Sequence, residues 1–452
     1  MAAVYGMNVP PADHLAAVLT PRWFMLKQHA VQRRLWLDPY RFKVIPAGRR
    51  SGKTENAKRK VVRAGFRGNR HGNARYFAAA PTWAQAKRIF WADLKALIPK
   101  RFMAGSPSEG ELTIRLISGS EICVFGLDKP ERIEGSPWDG GILDEYGNMK
   151  KEAWGAHVRP ALSDRQGWCW LTGVPEGRNH YYDVYQRARS DATGEWGAYT
   201  WKSSEVLPAA EIEAARRDLD ELTFLQEYEA SFVNFLGRAY HAFDEKIHVR
   251  PLRYNADEPI VFCFDFNVAP GTASIVQEQQ LPNGTFGSGV IGEVHIPQHS
   301  NTVRVCNRLI QDWGEHRGDV YLYGDASGGA GGSAKVMGSD WDLVGTTLKP
   351  VFGDRLRWRV PESNPRERAR LNAVNTRLKS ASGAVHMMVD PHFAPHVISD
   401  FEGVRLVEGG SGEIDKKATP ELTHLTDGLG YYIAEKYPVI KQTAQMVRVT
   451  EG

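Results

Sequence analysis

The most informative motif of this 452-residue chain is Ala47-Gly48-Arg49-Arg50-Ser51-Gly52-Lys53-Thr54. It follows the apolar run 42–45 and precedes a segment, 55–67, whose pattern predicts a helix. A strand, a glycine-rich turn, a Lys-Thr pair and a helix are the context of a phosphate-binding loop. The N–H groups at the start of such a helix point at the phosphates, and its dipole favours negative charge. We therefore predict a nucleotide site here, in which Lys53 neutralises phosphate and Thr54 offers its hydroxyl to Mg²⁺.

The match to the loop template departs at one position, and a surface turn rich in Gly and Arg is the alternative interpretation. The template G-x-x-x-x-G-K-[ST] has glycine where this chain has Ala47, and Gly48 follows one place later. Arg49 and Arg50 lie inside the loop and are candidates for sensing phosphate or a neighbouring subunit. Gln32, upstream of the loop, is a candidate for contacting the adenine edge, or else a solvated helix residue.

The composition is that of an ordinary globular protein, with 42% hydrophobic and 24% charged residues. No run approaches the roughly 18 apolar residues of a membrane span. Residues 1–20 lack the pattern of a signal peptide. The four cysteines are far apart, which argues against a zinc site or a disulfide scaffold and suits a reducing cytoplasm. The net charge of +4 permits nucleic-acid binding without requiring it.

An acidic pair, Asp144-Glu145, follows the apolar run 140–143 in the order of a Walker B motif. Asp144 would hold Mg²⁺ beside the phosphate loop, and Glu145 would orient and deprotonate the attacking water. Such a pair is common by itself, and its meaning depends on the loop upstream. Arg132 precedes the pair on a loop. It would stabilise transition-state charge in cis or from a neighbouring subunit, or else be merely solvated.

Three aspartates in the second half suggest a metal-dependent nuclease. Asp265 and Asp325 each end a strand pattern, and Asp427 lies in a predicted helix, 422–432. Mg²⁺ and Mn²⁺ prefer oxygen ligands, and a two-metal site that cleaves a phosphodiester needs shared carboxylates. The order of strands and helices fits an RNase H-like nuclease, and the three aspartates together favour it, although each aspartate alone is better explained as a turn residue or cap. Glu293 is either a fourth ligand or a surface residue.

Basic residues between the second and third acids, among them Arg366, Arg370 and Arg377, predict contacts to a phosphate backbone or a solvated helix face. Strands alternating with helices predict the class α/β, with a P-loop ATPase domain of the RecA or ASCE type followed by an RNase H-like nuclease domain. We place the ATPase domain at 1–203, a helical lid or linker at 204–250, the nuclease domain at 251–435 and a flexible C-terminal tail at 436–452.

Together these motifs resemble the large terminase subunit of tailed bacteriophages. The resemblance rests on the motif residues and spans most of the chain, from about 32 to 432: Ala47–Thr54, Ile142–Glu145, Thr172–Pro175, Asp265, Tyr323–Asp325 and Thr426–Gly428. A P-loop and a Walker B motif are widespread, and their pairing with a downstream acidic triad is far more specific. The resemblance implies an ATPase that pumps double-stranded DNA into a procapsid, and a nuclease that cuts the concatemer.

The resemblance also implies roles for single residues. Hydrolysis of ATP with Mg²⁺ would fall to Lys53, Thr54, Asp144 and Glu145. Residues 172–175 would couple hydrolysis to movement, and Arg132 would be a trans-acting finger. The nuclease metals, Mg²⁺ or Mn²⁺, would be bound by Asp265, Asp325 and Asp427.

The partners implied by the resemblance are double-stranded DNA, the portal protein and a small terminase subunit. The chain would act in the host cytoplasm as a homo-oligomer on the procapsid, usually a pentamer, without a membrane and absent from the mature virion. Whether the isolated chain is a monomer is left open.

Two other classes of protein remain as alternatives. A DNA helicase or repair ATPase fused to a nuclease should carry further helicase motifs and a second RecA-like domain, and the sequence has no second P-loop-type core. A non-catalytic nucleotide-binding assembly protein would not need the complete Lys-Thr and Asp-Glu pairs.

Overall fold

The structure, a computed structural model, describes residues 28–69, 72–233, 237–266, 269–326, 339–407, 412–417 and 422–439. The chain divides into two compact units. The first runs to Ile212 and includes Leu225–Asn234, and the second takes Glu213–Phe224 and continues from Phe235. Residues 204–250 therefore contribute to both units, and the domain boundaries drawn from the sequence stay a prediction. Of the predicted tail, residues 440–452 lie outside the described residues.

The first unit is built on a seven-stranded sheet in the order β3-β4-β2-β5-β6-β1-β7. Its strands are β1 (Phe42–Pro46), β2 (Arg75–Ala80), β3 (Thr113–Arg115), β4 (Glu121–Gly126), β5 (Gly140–Leu143), β6 (Trp168–Gly173) and β7 (Trp196–Ala198). β3 pairs antiparallel with β4, and the other neighbours are parallel. The loops after β1 and β5 therefore leave the same carboxyl edge of the sheet, with the end of β6 between them.

Successive residues of these strands point to opposite faces of the sheet, and both faces are covered. Ile45 belongs to one buried cluster and Val44 to the other. The helices of this unit are α1 (Ala30–Leu37), α2 (Lys53–Arg67), α3 (Trp83–Ala86), α4 (Ala92–Leu97), α5 (Arg159–Ala161) and α6 (His180–Arg189). The predicted helix after the loop is confirmed and begins at Lys53. Helices α3 and α4 are joined by a π-helical turn, Lys87–Trp91.

The second unit is built on a six-stranded sheet in the order β12-β11-β8-β9-β10-β13. Its strands are β8 (Ile260–Asp265), β9 (Gly271–Gln280), β10 (Phe286–Ile296), β11 (Val320–Gly324), β12 (Leu356–Trp358) and β13 (Met387–Val389). The first three form an antiparallel meander, and β11 lies parallel to β8 with Gly324 opposite Phe264. Asp265 and Asp325 consequently leave the sheet at the same edge.

The remaining helices belong to the segment between the sheets and to the second unit. They are α7 (Ala209–Asp218), α8 (Glu221–Glu227), α9 (Glu245–His248), α10 (Thr302–Trp313), α11 (Asp340–Phe352), α12 (Glu367–Leu378), α13 (Pro395–Gly403) and α14 (His424–Lys436). None of these described helices is both long enough and apolar enough to cross a membrane. The fold is thus α/β as predicted, with a P-loop type of unit followed by an RNase H-like unit.

Candidate functional site

The carbonyl groups of the phosphate loop are held from outside the loop. The Ser51 carbonyl accepts hydrogen bonds from Gln32 Nε2 and Trp201 Nε1, each at 3.0 Å. The Arg49 carbonyl accepts one from Ser203 Oγ at 2.7 Å. In the α-helix that starts at Lys53, the first N–H groups have no acceptor within the helix. The loop therefore offers donors to an anion, as a phosphate site requires.

A close approach of the chain explains why the loop has glycine at position 48. A Cβ atom there would lie 2.5 Å from the backbone nitrogen of Ser203 and 2.8 Å from the carbonyl oxygen of Tyr228. Ala47 is fully buried and its N–H donates to the Gly173 carbonyl at 3.0 Å. The departure from the template thus follows from packing, because Gly48 is where side-chain space is missing. Gly52, at φ 81°, supplies the left-handed turn before the helix.

The four residues predicted to carry hydrolysis lie together at the carboxyl edge of the sheet. Asp144 Oδ2 accepts a hydrogen bond from Thr54 Oγ1 at 3.0 Å. The Lys53 ammonium lies 3.9 Å from Glu145 Oε1. This set, a hydroxyl and two carboxylates beside a helix start and a lysine, fits a nucleotide phosphate with Mg²⁺, since the ligands are hard oxygens.

Glu145 combines a strained backbone with a raised pKa. Its φ is 55°, in the left-handed region that a non-glycine residue rarely adopts. Burial raises the pKa of Glu145; Lys53 opposes this shift, and Asp144 and Glu227 add to it. A carboxyl with a raised pKa and a fixed position is suited to accept a proton.

Other residues predicted for the nucleotide site have varied surroundings. Gln32 is 1% exposed and supports the loop through the Ser51 carbonyl, so its contact with adenine stays a prediction. Arg49 donates to Glu227 Oε2 at 2.5 Å. Arg50, at φ 56°, is exposed. Arg132 is exposed on a 3-10 turn, and its role as a finger stays a prediction.

In the second unit, the three predicted aspartates approach one edge of the sheet. Helix α14, which carries Asp427, packs closely on β8 because Gly428 has no side chain: a Cβ atom there would lie 2.9 Å from the Cys263 carbonyl oxygen. Burial raises the pKa of Asp427, Arg370 opposes this shift, and Asp265 adds to it. Burial also raises the pKa of Tyr431, and all three aspartates add to that shift against Arg370. Tyr431 thus lies within the electrostatic reach of the whole triad.

Each aspartate has a protein partner that the sequence did not reveal. Asn364 Nδ2 donates to Asp325 Oδ1 at 2.6 Å, and His424 Nδ1 lies 3.2 Å from Asp265 Oδ2. Arg370 Nη2 donates to Asp427 Oδ1 at 3.0 Å. Among the described residues, no group of three or more acidic, histidine or cysteine side chains is arranged to hold a metal ion. The oxygen donors suit Mg²⁺ or Mn²⁺ in kind, and the metal assignment stays a prediction.

Two arginines of α12 differ from the solvated helix face that the sequence suggested. Arg370 is 7% exposed and is bonded to Asp427. Arg377 donates to Ser288 Oγ at 3.0 Å and lies 3.6 Å from Glu278 Oε2. The solvated-face interpretation is therefore wrong for both residues. Glu293, considered as a ligand, accepts the N–H of Val397 at 2.9 Å and so caps the start of α13.

A buried carboxyl, Asp400, supports the start of α14. It is 3% exposed and accepts hydrogen bonds from the Thr426 N–H and hydroxyl, both at 3.2 Å. Burial raises its pKa from 3.8 to about 6. Between pH 3.8 and about 6, the folded chain thus keeps a proton on Asp400 that the unfolded chain releases. The contribution of this group to the free energy of unfolding therefore falls as the pH rises through that window.

We expect Asp400→Asn to remove this pH dependence. The difference in the free energy of unfolding, variant minus wild type, should increase by up to about 3 kcal/mol from acidic to neutral pH. Urea unfolding at several pH values measures it, with the exposed Asp354→Asn as the control. Parallel curves for Asp400→Asn and wild type would contradict the assignment.

Comparison with known proteins gives relatives for about half of the sequence and for nearly all of the fold. No protein-family model matches the chain. It is 26% identical over 222 residues to the terminase large subunit of Escherichia phage T5, covering 48% of this chain and 50% of that protein. It is 24% identical over 251 residues to the terminase large subunit of Thermus virus P23-45, covering 48% and 51%. The chain thus matches about half the length of these curated relatives.

Among solved structures, the large terminase of a thermophilic bacteriophage has a TM-score of 0.60 and 15% identity, over 90% of this chain and 99% of that one. The same protein in complex with ATP-gamma-S has a TM-score of 0.58 and 16% identity, over 90% and 98%. At this identity the likeness concerns the fold.

Proposed function

We propose that this chain, which is related in sequence and in fold to phage terminase large subunits, hydrolyses ATP to move double-stranded DNA into a procapsid and cuts that DNA with a two-metal nuclease. One observation carries the proposal: a phosphate loop with Asp144 and Glu145 occurs in the same chain as a second unit in which Asp265, Asp325 and Asp427 approach one sheet edge. A helicase or repair ATPase fused to a nuclease is not favoured, because the relatives are terminase large subunits.

In the ATPase reaction, each residue would have a separate task. The loop N–H groups and Lys53 would bind the phosphates and balance their charge. Thr54 and Asp144 would hold Mg²⁺, which when bound neutralises charge that develops on the phosphates. Glu145 would orient the attacking water and accept its proton, a role to which its raised pKa is suited. The ATP-gamma-S complex of the thermophilic phage terminase supports the choice of nucleotide.

In the nuclease reaction, Asp265, Asp325 and Asp427 would bind Mg²⁺ or Mn²⁺, which when bound activates water and stabilises the leaving oxygen. Asn364, His424 and Arg370 would orient these three carboxylates through the hydrogen bonds described above. A lysine, Lys416, also lies 3.8 Å from Asp427 Oδ2. Asp427 therefore faces two cationic side chains, Arg370 and Lys416.

The partners belong to the same proposal. They are double-stranded DNA, a portal protein, a small terminase subunit and further copies of this chain in a ring, usually of five. The exposed Arg132 would act on the nucleotide of a neighbouring copy in such a ring.

A DNA-stimulated ATPase assay paired with a Mn²⁺-dependent plasmid-cutting assay on one preparation tests the proposal. We expect both activities. If the chain shows neither ATP turnover nor cutting, the proposed function is wrong, and ATP turnover that ignores DNA would favour a different ATPase.

We expect Thr172→Val to slow ATP hydrolysis through Asp144. Thr172 is fully buried and donates from Oγ1 to Asp144 Oδ1 at 2.5 Å, so the substitution leaves that oxygen without its donor. The kcat for ATP should fall by about tenfold, a loss of about 1.4 kcal/mol, with a smaller effect on nucleotide affinity. Thr172→Ser keeps the hydroxyl and should restore most of the rate. Equal rates in the Val and Ser variants would contradict this role.

A further inference from the structure

A basic cavity lies in the first unit at the end of α2 that is remote from the phosphate loop. The cavity measures about 330 Å³, and its wall includes Trp36, Lys60, Arg63, Arg67, Tyr76 and Trp168. Tyr76 and Trp168 stand at the amino ends of β2 and β6, whereas the phosphate loop follows the carboxyl end of β1. The cavity is therefore separate from the candidate nucleotide site, at the opposite edge of the sheet.

Three cations of this wall lie along one side of α2 without acidic partners. Within the described ranges, Lys60, Arg63 and Arg67 make no ion pair and no side-chain hydrogen bond. By contrast, the neighbouring Lys58 and Arg59 both pair with Glu55. The positive charge of these three side chains is therefore not paired with a carboxylate within the described ranges.

The acid in the same wall does not neutralise these cations. Asp139 is held by Arg165 Nη1 at 2.6 Å and by the Arg75 N–H at 2.8 Å. The dipole of α2 favours a cation in its last turn, which accounts for Arg67 but not for Lys60 in mid-helix.

Aromatic rings stand beside two of these cations and attract them through the ring faces without carrying a charge. The Lys60 ammonium lies 4.6 Å from the centre of the Trp168 ring and 5.5 Å from that of Trp170. Arg63 lies 5.5 Å from the centre of the Trp36 ring. Burial, with Arg63 and Arg67 nearby, lowers the pKa of Lys60 to about 8. An anion in the cavity would offset both the desolvation and the mutual repulsion.

We propose that this cavity, with Lys60, Arg63 and Arg67 as its donors, binds the phosphodiester backbone of DNA. The positive charge without a carboxylate partner favours an anion, and the choice of DNA rests on the proposed function. The spacing agrees: seven residues from Lys60 to Arg67 span about 10 Å of helix. That is the rise of about three phosphates along one strand, more than a single free phosphate would use. Contacts of this kind hold the backbone without reading its sequence.

A salt titration of DNA binding by the full chain tests this site. Arg63→Gln/Arg67→Gln changes two exposed side chains, so the fold should persist. The affinity for a short fluorescein-labelled duplex, measured by anisotropy, should fall about tenfold or more, and the slope of log K against log salt should fall by about two. Lys60→Met removes the desolvated charge of the lysine and should weaken DNA binding as well.

The matched control is Arg88→Gln/Arg101→Gln, which removes the same charge from exposed positions outside the cavity wall. It should keep the wild-type affinity and slope. Equal losses in the two double variants, or no loss in the cavity variant, would overturn the inference. The inference would also be overturned if DNA binds without Arg63 and Arg67 while polyglutamate or inorganic phosphate binds through these two residues. The cavity would then serve an acidic protein or free phosphate.

The same titration separates this inference from the proposed function. A wild-type chain that binds no DNA at any salt concentration contradicts both. A wild-type chain that binds DNA, with cavity variants that bind it equally well, contradicts only the role of the cavity.

Discussion

Replacing Glu145 with Gln is expected to lower the rate of DNA-stimulated ATP hydrolysis by about 10³-fold. The amide has nearly the shape of the carboxylate but cannot accept the proton of the attacking water, and the loss of a general base costs about 10²–10⁴ in rate. The loop carbonyls bonded to Gln32, Trp201 and Ser203 are untouched, so nucleotide affinity should change little. Steady-state ATPase kinetics and a nucleotide-binding titration on one preparation measure the two quantities.

Glu152→Gln is the matched control for this substitution because Glu152 is exposed in the same unit. Its ATPase rate should equal that of the wild type. Mn²⁺-dependent cutting should persist in Glu145→Gln, since the three aspartates proposed to bind the nuclease metals belong to the second unit. ATP turnover at the wild-type rate in Glu145→Gln would remove Glu145 from the catalytic residues.

Replacing Asp265 with Asn is expected to abolish Mn²⁺-dependent cutting of plasmid DNA, by about 10³-fold or more. A neutral amide cannot share the charge of two metal ions, and Asp265 ends the strand beside Asp325. The substitution also removes the charge that faces His424 Nδ1. Nicking assays over a range of Mn²⁺ concentrations measure the loss and show whether excess metal restores it.

The ATPase rate of Asp265→Asn should match the wild type, which excludes global unfolding as the cause of lost cutting. Asp354→Asn, an exposed change of the same kind in the second unit, should cut normally. Undiminished cutting by Asp265→Asn would take Asp265 out of the metal site.

Much of the fold could be predicted because its signals are local. Helix α2 ends at Arg67, where the pattern over 55–67 predicts the end of a helix. Two helices that the sequence did not predict contain proline, which usually breaks a helix. These residues are Pro350 inside α11 and Pro395 at the start of α13. At the start Pro395 is tolerated, because the missing N–H would have no partner within the helix.

The candidate sites likewise contain residues that the sequence predicted and contacts that it did not predict. The sequence pointed to Lys53, Thr54, Asp144 and Glu145, because each pair lies in a motif made of chain neighbours. The structure brings both pairs to one edge of the sheet. The sequence did not point to Thr172 as a donor to Asp144. That contact depends on β5 and β6 pairing with Leu143 opposite Leu171.

The class of fold, the phosphate loop and the positions of the acids could be inferred from the chain, since spacing and periodicity along it express them. The surroundings of these residues became visible with the packing of the folded chain. The glycine at 48, the arginine on Asp427 and the unpaired cations of the cavity all depend on segments far apart in the chain. The physical reason is that packing distances and desolvation arise from contacts between such segments, and a linear motif does not record them.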